Sequence, residues 1–481
     1  MEMLANHFET AARRRQITMS PYYGPPDFSS LARDQAGTTR LDDISLADLL
    51  RNGFVYPPHS IFTDTKLATF GFDPRHDMHQ APRFRFDFHT RGKGESRDQQ
   101  DWLGTYHRLL CDAYRRACAE MRSPWLLQSG GKDSTQLAII ASEVRPDTTC
   151  ITYLGGNEEN EVDSARYVAR ELGLRHETLT CDPGRAYDRY LALVPKMPLL
   201  TADFALLSYV DLATELLDSG GDGVVDGMGA DNYFGIPVGR MHRWLSALAR
   251  HMQLPSSVFE LPVIGRNFEI CYLLSTLQMD PIERDFPGSR FSDEEVDMLF
   301  GRGISSESRG RLALFREEIA TAANADERCT MALTVAGSAG GFAKGLYTAS
   351  ALSLQAAYPF CDPELRDWVY RQVPSDQLVD PVTRTSKVLM RKHIAKRFGT
   401  LPYVERKGSF RFDLRGLARA RFELVHAHAQ RARDVLPGAV RWLERNRRRL
   451  DNKYHASKFY LLAVVLPWVN DATRNGKRRN A

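Results

Sequence analysis

The residues best suited to chemistry form a glycine-rich turn, Ser129-Gly130-Gly131-Lys132-Asp133-Ser134. An apolar run that predicts a buried strand precedes it, and a segment with helical spacing follows it. Glycine lets the backbone approach a ligand closely, and the free N–H groups at a helix start attract anions. Lys132 adds a mobile cation, whereas Asp133 would repel phosphate unless a metal ion lay between them. The turn therefore predicts a phosphate site that includes Mg²⁺.

Two other interpretations of this turn are a Walker A loop and a purely structural turn. It differs from a Walker A loop, because Asp133 follows the Gly-Lys pair where Ser or Thr should stand. A purely structural turn, in which Asp133 or Ser134 caps the helix, is the second. A chance S-G-G-x-D-S in a chain of this length has a probability on the order of one in a thousand at average composition, which favours a functional turn.

A second glycine-rich segment, Asp226–Gly235, also follows an apolar run and opens a helix. It offers another anion cradle and another carboxylate, Asp231. At the ends of neighbouring parallel strands, Asp133 and Asp231 could hold one Mg²⁺ between them. The alternative is a tight turn with an aspartate cap.

The elements that must position these residues alternate between short apolar runs and helical patterns. This alternation predicts an α/β fold with a doubly wound parallel sheet, whose ligands lie at the carboxyl ends of the strands. The predicted strands are Trp125–Gln128, Cys150–Leu154, His176–Leu179 and Gly223–Asp226. The predicted helices are Asp133–Glu143, Glu161–Leu172, Leu206–Asp218, Asp362–Arg371, Ser386–Arg397, Leu414–His428 and Val440–Tyr454.

At the first turn the sequence resembles the PP-loop ATP pyrophosphatase superfamily, whose SGGxDS turn holds the pyrophosphate end of ATP. The second turn is similar to the SGEGADELFGG segment of the asparagine synthetase C-terminal domain. Three more segments resemble that family's PFLD, TKxxLR and RxKxGF elements, respectively Tyr358–Pro363, Ser386–Arg391 and Glu405–Phe410. The resemblance covers roughly residues 100 to 425.

The resemblance implies an enzyme that uses ATP and Mg²⁺ to adenylate a carboxylate. Lys407 is implied to contact the reacting carboxylate and phosphate oxygens, and Lys387 to lie near the pyrophosphate. Cations suit this step because it brings a carboxylate anion to polyanionic ATP. Asp133 and Asp231 are the expected metal ligands. The expected nucleotide-binding residues are Leu127, Ser129, Gly130, Gly131, Lys132, Asp133, Ser134, Leu154 and Gly227.

The sequence departs from this family in two ways. No cysteine precedes Cys111 and only 128 residues precede the first turn, so we expect no glutaminase domain. The nucleophile is then free ammonia, ammonia from a partner protein or an amine substrate. Met228 stands where the family has a glutamate, or a tyrosine in β-lactam-forming relatives, that helps to deprotonate the nitrogen. Tyr233, Glu158 and Glu159 are weak alternative bases.

Composition and charge bound the remaining possibilities. The chain is 43% hydrophobic and 26% charged, which is typical of soluble globular proteins and excludes collagen-like and disordered classes. No apolar run approaches the ~20 residues of a membrane span. No signal peptide is recognisable, and the seven cysteines form no CxxC pair, so we expect a cytoplasmic protein.

The chain divides into three regions by pattern. Residues 1–100 form a module of unknown role, rich in Pro, Gly, aromatic residues and His. Residues 101–425 form the synthetase-like domain, and residues 426–481 a basic helical extension. From residue 401 onward 19 Lys and Arg stand against 7 Asp and Glu, a net charge of +12, so the first 400 residues carry −8.

These observations favour an ATP-dependent amide-forming ligase for small molecules, in specialised or surface-sugar biosynthesis by analogy. Neither a membrane nor a nucleic acid is an expected partner, and a homo-oligomer is compatible with the sequence. A tRNA-modifying PP-loop enzyme fits the basic tail but lacks paired cysteines. A non-catalytic nucleotide-binding scaffold is the remaining alternative, which Met228 permits.

Overall fold

The computed structural model describes residues 15–18, 21, 26–28, 31, 40–72, 84–86, 101–155, 161–235, 237–238, 268–277, 279–286, 291–399, 401 and 412–479. Its strands are β1 (Arg15–Thr18), β2 (Thr65–Ala68), β3 (Pro124–Leu127), β4 (Thr149–Leu154), β5 (Arg175–Thr180), β6 (Gly223–Val225) and β7 (Gln355–Ala357). β1 and β2 form a separate parallel pair, and the other five form the central sheet in the order β5-β4-β3-β6-β7.

The central sheet is parallel throughout, which confirms the predicted fold class. β3 is the first of its strands along the chain and lies in the middle. The chain then adds β4 and β5 on one side and β6 and β7 on the other. Leu126 of β3 pairs with Cys150 of β4 and with Val225 of β6. The strand order therefore reverses between β3 and β6, and such a switch point is where α/β sheets bind ligands.

Helices surround the sheet and make up most of the described chain. Their bounds are α1 (Asp43–Asn52), α2 (Trp102–Ala117), α3 (Lys132–Val144), α4 (Val162–Glu171), α5 (Pro183–Leu193), α6 (Leu206–Asp218), α7 (Ala230–Tyr233), α8 (Phe268–Leu277), α9 (Asp293–Phe300), α10 (Ser305–Gly310), α11 (Ala313–Ala320), α12 (Ala325–Ala336), α13 (Phe342–Leu352), α14 (Pro363–Gln372), α15 (Ser375–Leu378), α16 (Val388–Phe398), α17 (Leu414–Arg431), α18 (Ala439–Asn446) and α19 (Lys453–Arg479). A π-helical segment, Gly337–Gly341, joins α12 to α13.

Both faces of the sheet are covered, because successive strand residues point to opposite sides. Leu126 and Cys150 enter the large core cluster on one face. Trp125 and Ile151, their neighbours in the chain, enter a smaller cluster on the other face, together with Leu216 of α6. Strands buried on both sides explain why the sequence shows continuous apolar runs there rather than alternation.

The last described helix, α19, lies inside the core. Its residues Phe459–Leu466 are completely buried. Pro467 interrupts its hydrogen bonding, since proline has no N–H to offer the carbonyl of Ala463. The Tyr187 hydroxyl donates to that carbonyl at 3.0 Å, and the Tyr190 hydroxyl donates to the carbonyl of Val464 at 2.7 Å. Two buried tyrosines of α5 therefore satisfy the backbone beside the proline. In the described part of the chain no helix is both long and apolar enough to cross a membrane.

Candidate active site

The first glycine-rich turn links the end of β3 to the start of α3 and is closed by its own serines. The Ser129 N–H donates to Ser134 Oγ at 3.1 Å, and Ser134 Oγ donates back to the Ser129 carbonyl at 2.8 Å. The Gly131 N–H donates to Ser129 Oγ at 3.1 Å. Gly131 is the N-cap of α3, and within the described residues no side chain caps that helix. The first N–H groups of α3 therefore suit an anionic ligand.

The second glycine-rich turn, at the end of β6, packs directly against the first. A Cβ atom added to Gly227 would lie 3.3 Å from Asp133 Cβ and 3.4 Å from the Ser134 nitrogen. A side chain at position 227 would require one of the turns to shift by a few tenths of an ångström. This glycine is therefore a packing requirement that brings the carboxylates of the two turns to one place.

Lys387 joins the two turns. Its ammonium donates to both carboxylate oxygens of Asp133, at 2.6 and 2.7 Å, and lies 2.5 Å from Asp231 Oδ1. Only 5% of the lysine side chain is exposed, against 32% for Asp133 and 45% for Asp231. Residues 133, 231 and 387 are thus far apart in the chain but meet at the carboxyl ends of β3 and β6.

The charges in this cluster shift one another's pKa values. Burial acts to lower the pKa of Lys387, but Asp133 and Asp231 outweigh it and the pKa lies above its usual value. Burial raises the pKa of Asp133 against the opposing effect of Lys387, while Asp231 raises it further. The lysine is therefore a fixed cation beside two carboxylates whose negative charges it does not fully balance.

This arrangement fits a hard divalent cation. Asp133 and Asp231 offer oxygen donors, both are partly exposed, and the cluster with Lys387 carries a net negative charge. The cation that lies between the two carboxylates in the structure is the Lys387 ammonium. The carboxylate lone pairs on the exposed side of the cluster are the ones that Mg²⁺ would use.

A second charged cluster next to this one was not anticipated from the sequence. Lys344 of α13 has its ammonium 3.5 Å from Met228 Sδ and 3.7 Å from Asp203 Oδ1. Asp226, at the end of β6, accepts from the Met228 N–H at 3.0 Å. Burial raises the pKa of Asp226, and Lys344 acts to lower it. Asp226 is the first residue of the second motif, so the sequence could have identified it as a site residue. Lys344 and Asp203 lie in segments without a motif.

The structure also describes several of the other residues singled out from the sequence. Leu127 ends β3 and Leu154 ends β4, the neighbouring strand, and both side chains are partly buried. Tyr233 as a base was wrong: it is fully buried, its hydroxyl donates to the Phe360 carbonyl, and burial raises its pKa well above the usual value. Asp362 caps α14 and pairs with Arg116 at 2.8 Å. The predictions for Lys407, Glu158 and Glu159 lie outside the described residues.

The five-stranded parallel sheet with its covering helices is that of a PP-loop-like α/β domain. The asparagine synthase family model matches residues 105–437, which is more than half of the chain. The chain therefore belongs to the asparagine synthase family, and membership supports an ATP-dependent carbon–nitrogen ligase. The match corresponds to the synthetase domain, and no glutaminase-domain family accompanies it. No curated protein matches the chain.

Proposed function

We propose that this protein adenylates a substrate carboxylate with ATP, releases pyrophosphate and transfers the acyl group to ammonia or an amine. The observation that carries the proposal is the meeting of Asp133, Asp231 and Lys387 where the sheet reverses its strand order. Family membership supports the ligase class. The AMP-forming route, the small-molecule substrates and a role in specialised or surface-sugar biosynthesis are the finer parts of the proposal.

The first turn is suited to the phosphates of ATP. The uncapped N–H groups of α3 would bind phosphate oxygens, and Lys132 adds charge at the same end of the helix. Asp133 and Asp231 would hold Mg²⁺, which when bound offsets phosphate charge and polarises the α-phosphoryl group. Lys387 keeps the two carboxylates together before the nucleotide arrives. Lys407 remains our candidate for contact with the reacting carboxylate.

The nitrogen nucleophile requires a different base from the family's glutamate. A methionine thioether cannot take a proton from nitrogen at neutral pH, so Met228 leaves that role vacant. Asp226 is next to Met228, and its raised pKa makes its carboxylate a better proton acceptor than an ordinary aspartate. We assign Asp226 as the proton acceptor for the amine, with the ion pair of Asp203 and Lys344 beside it.

Substitution of Asp226 should affect the two half-reactions, carboxylate adenylation and amide formation, differently. Asp226→Asn should keep pyrophosphate exchange into ATP near the wild-type rate but slow amide formation by about 10²-fold, the usual scale of general base catalysis. Asp218→Asn, an exposed aspartate at the end of α6, is the control for loss of one carboxylate. Equal loss of both half-reactions in Asp226→Asn would remove Asp226 from proton transfer.

The proposed function is tested by supplying a panel of carboxylates with MgATP and following exchange of labelled pyrophosphate into ATP. Exchange that depends on one carboxylate, followed by AMP and a new amide when ammonia or an amine is added, is the expected result. ADP as the product would overturn the proposal. Exchange with none of the carboxylates would favour a nucleotide-binding scaffold, and AMP release that requires tRNA would favour the tRNA-modifying alternative.

A further inference from the structure

A cluster of metal-ligating side chains lies near the end of α3, whereas the glycine-rich turns lie near its start. His107 and Cys111 are one turn apart on α2, and Glu143 is near the end of α3. His107 Nε2 lies 2.9 Å from Glu143 Oε2 and 3.6 Å from Cys111 Sγ. One ligand atom from each of the three lies within 4.8 Å of the other two.

Two of these separations are close to those of ligands around one small cation. Tetrahedral Zn²⁺ with bonds of about 2.0–2.1 Å to nitrogen or oxygen and 2.3 Å to sulfur holds its ligand atoms roughly 3.3–3.6 Å apart. The sulfur–nitrogen distance already lies at that value, and the nitrogen–oxygen distance needs to widen by only a few tenths of an ångström. An i, i+4 pair on a helix supplies the His and Cys ligands without backbone movement.

His393 of α16 adds an orienting contact behind the cluster. Its Nε2 lies 3.0 Å from Nδ1 of His107, the ring nitrogen on the opposite side from Glu143 and Cys111. The imidazole of a metal-bound histidine usually makes such a hydrogen bond, which sets its tautomer and direction. His393 is 95% buried, since its relative exposure is 5%, and its ring packs against Tyr106.

The cluster is also accessible from solvent. The His107 side chain is 32% exposed and that of Glu143 is 48% exposed, while Cys111 is buried behind them. Burial, together with Glu143, raises the pKa of the Cys111 thiol to about 11, so a bound metal would have to displace the thiol proton. A cation can therefore enter from the exposed side and reach the thiol.

We propose that His107 Nε2, Cys111 Sγ and a Glu143 carboxylate oxygen bind one borderline-soft divalent cation of the Zn²⁺ type, with His393 orienting His107 and a fourth position open to water. The ion would tie α2 to the end of α3. Helix α3 carries Asp133 at its start, and α16, which holds His393, begins after Lys387. The site would thus fix the helices that position the phosphate-binding cluster.

The proposal is tested by titrating the purified full-length chain, stripped of metal, with Co²⁺ and recording its absorption spectrum. We expect one equivalent to give visible ligand-field bands and a near-ultraviolet thiolate-to-cobalt charge-transfer band, both removed by Zn²⁺, which binds such sites more tightly than Co²⁺. Co²⁺ at Asp133 and Asp231 would give no thiolate band, so the two sites are distinguished by the spectrum.

Matched variants identify the ligands. Cys111→Ser should abolish the charge-transfer band, whereas Cys329→Ser, at a partly buried cysteine elsewhere in the chain, should retain it. His107→Ala, at a more exposed position, should abolish stoichiometric binding even if Cys111→Ser folds poorly. His393→Gln should weaken binding by about 10–100-fold, the usual effect of losing an orienting contact. Absence of a thiolate band in the wild type, or its persistence in Cys111→Ser, would overturn the proposal.

Discussion

Lys387 is held in a backbone conformation that lysine rarely adopts. Its φ is 58°, and within the described residues only Ser353 and Arg384 share a positive φ without being glycine. Such a conformation costs about 1–3 kcal/mol and persists only where surrounding contacts enforce it. Its side chain contacts two carboxylates, and its carbonyl accepts from the Arg391 N–H at 2.9 Å. The strain and the ion pairs together direct the ammonium into the cluster at the start of α16.

Removing this charge should disable the nucleotide site. Lys387→Met leaves Asp133 and Asp231 facing each other without their shared cation, and the pKa of Asp133 rises because Lys387 now acts to lower it. We expect pyrophosphate exchange to fall by at least ~10²-fold, the scale of losing one fixed electrostatic contact. Lys392→Met, on the exposed side of the same helix, should retain exchange. Normal exchange in Lys387→Met would exclude this lysine from the site.

At the scale of elements, the two turns act as a unit because of a single close approach. Gly227→Ala should leave the fold intact but displace Asp133 from Asp231 by a few tenths of an ångström. Since misplacing a reacting group by 1 Å can lower a rate 10²-fold, we expect the rate of pyrophosphate exchange to fall about 10-fold. Gly303→Ala is the control, because a Cβ there meets nothing within 4 Å. Equal rates for the two variants would contradict the packing argument.

The tyrosines of α5 and the proline of α19 form a second unit. Tyr187→Phe leaves the buried Ala463 carbonyl unsatisfied and should lower the free energy of unfolding by about 1–3 kcal/mol. In a Pro467→Ala background the new N–H at position 467 can donate to the Ala463 carbonyl. Tyr187→Phe should then lower the free energy of unfolding by less. Tyr190→Phe, which affects the Val464 carbonyl, should cost the same in both backgrounds. Urea denaturation of the single and double variants measures the coupling.

Elements with local signals could be predicted from the sequence, and contacts between them could not. Helix α6 has the predicted bounds, and the Ser292–Glu295 capping box begins α9, because apolar periodicity and caps are local properties. The contact between Lys344 and Met228 joins residues 116 positions apart in segments without matching periodicity. The apolar run that includes Phe459 is too short to predict a membrane span. Nothing in its local sequence indicated that it is part of the core.

At the scale of the whole molecule, one large core joins regions that the sequence pattern separates. Leu46 of α1 and Leu461 of α19 belong to the same cluster as the helices of the sheet domain. Buried ion pairs reinforce the connection: Arg51 lies 2.8 Å from Glu283, and Arg311 lies 2.7 Å from Asp48. Each pair joins a residue of α1 to a later segment of the chain, so these pairs help to fix how α1 docks.

Asp48 should make stability depend on pH. Burial raises its pKa to about 6, against the opposing effect of Arg311. The folded protein therefore binds more protons than the unfolded chain between about pH 4 and pH 6, and ionisation of Asp48 lowers the free energy of unfolding as pH rises through that window. A pKa raised from 3.8 to about 6 corresponds to about 3 kcal/mol of stability lost on full ionisation of Asp48.

The variant Asp48→Asn isolates this effect, since Arg311 keeps Asp42 as a partner. Wild type should lose stability relative to the variant between pH 4 and pH 7, as measured by urea denaturation at each pH. A difference between the two proteins that does not change with pH would show that Asp48 ionises normally.

The burial of α19 has a consequence for how the protein is made. About 265 residues lie between the end of α5 at Leu193 and Phe459, and at 5–20 residues per second their synthesis takes roughly 13–53 s. During that time the face of α5 that contacts α19 through Tyr187 and Tyr190 stays open on the nascent chain. Chaperones on the ribosome therefore have time to bind this face before α19 covers it.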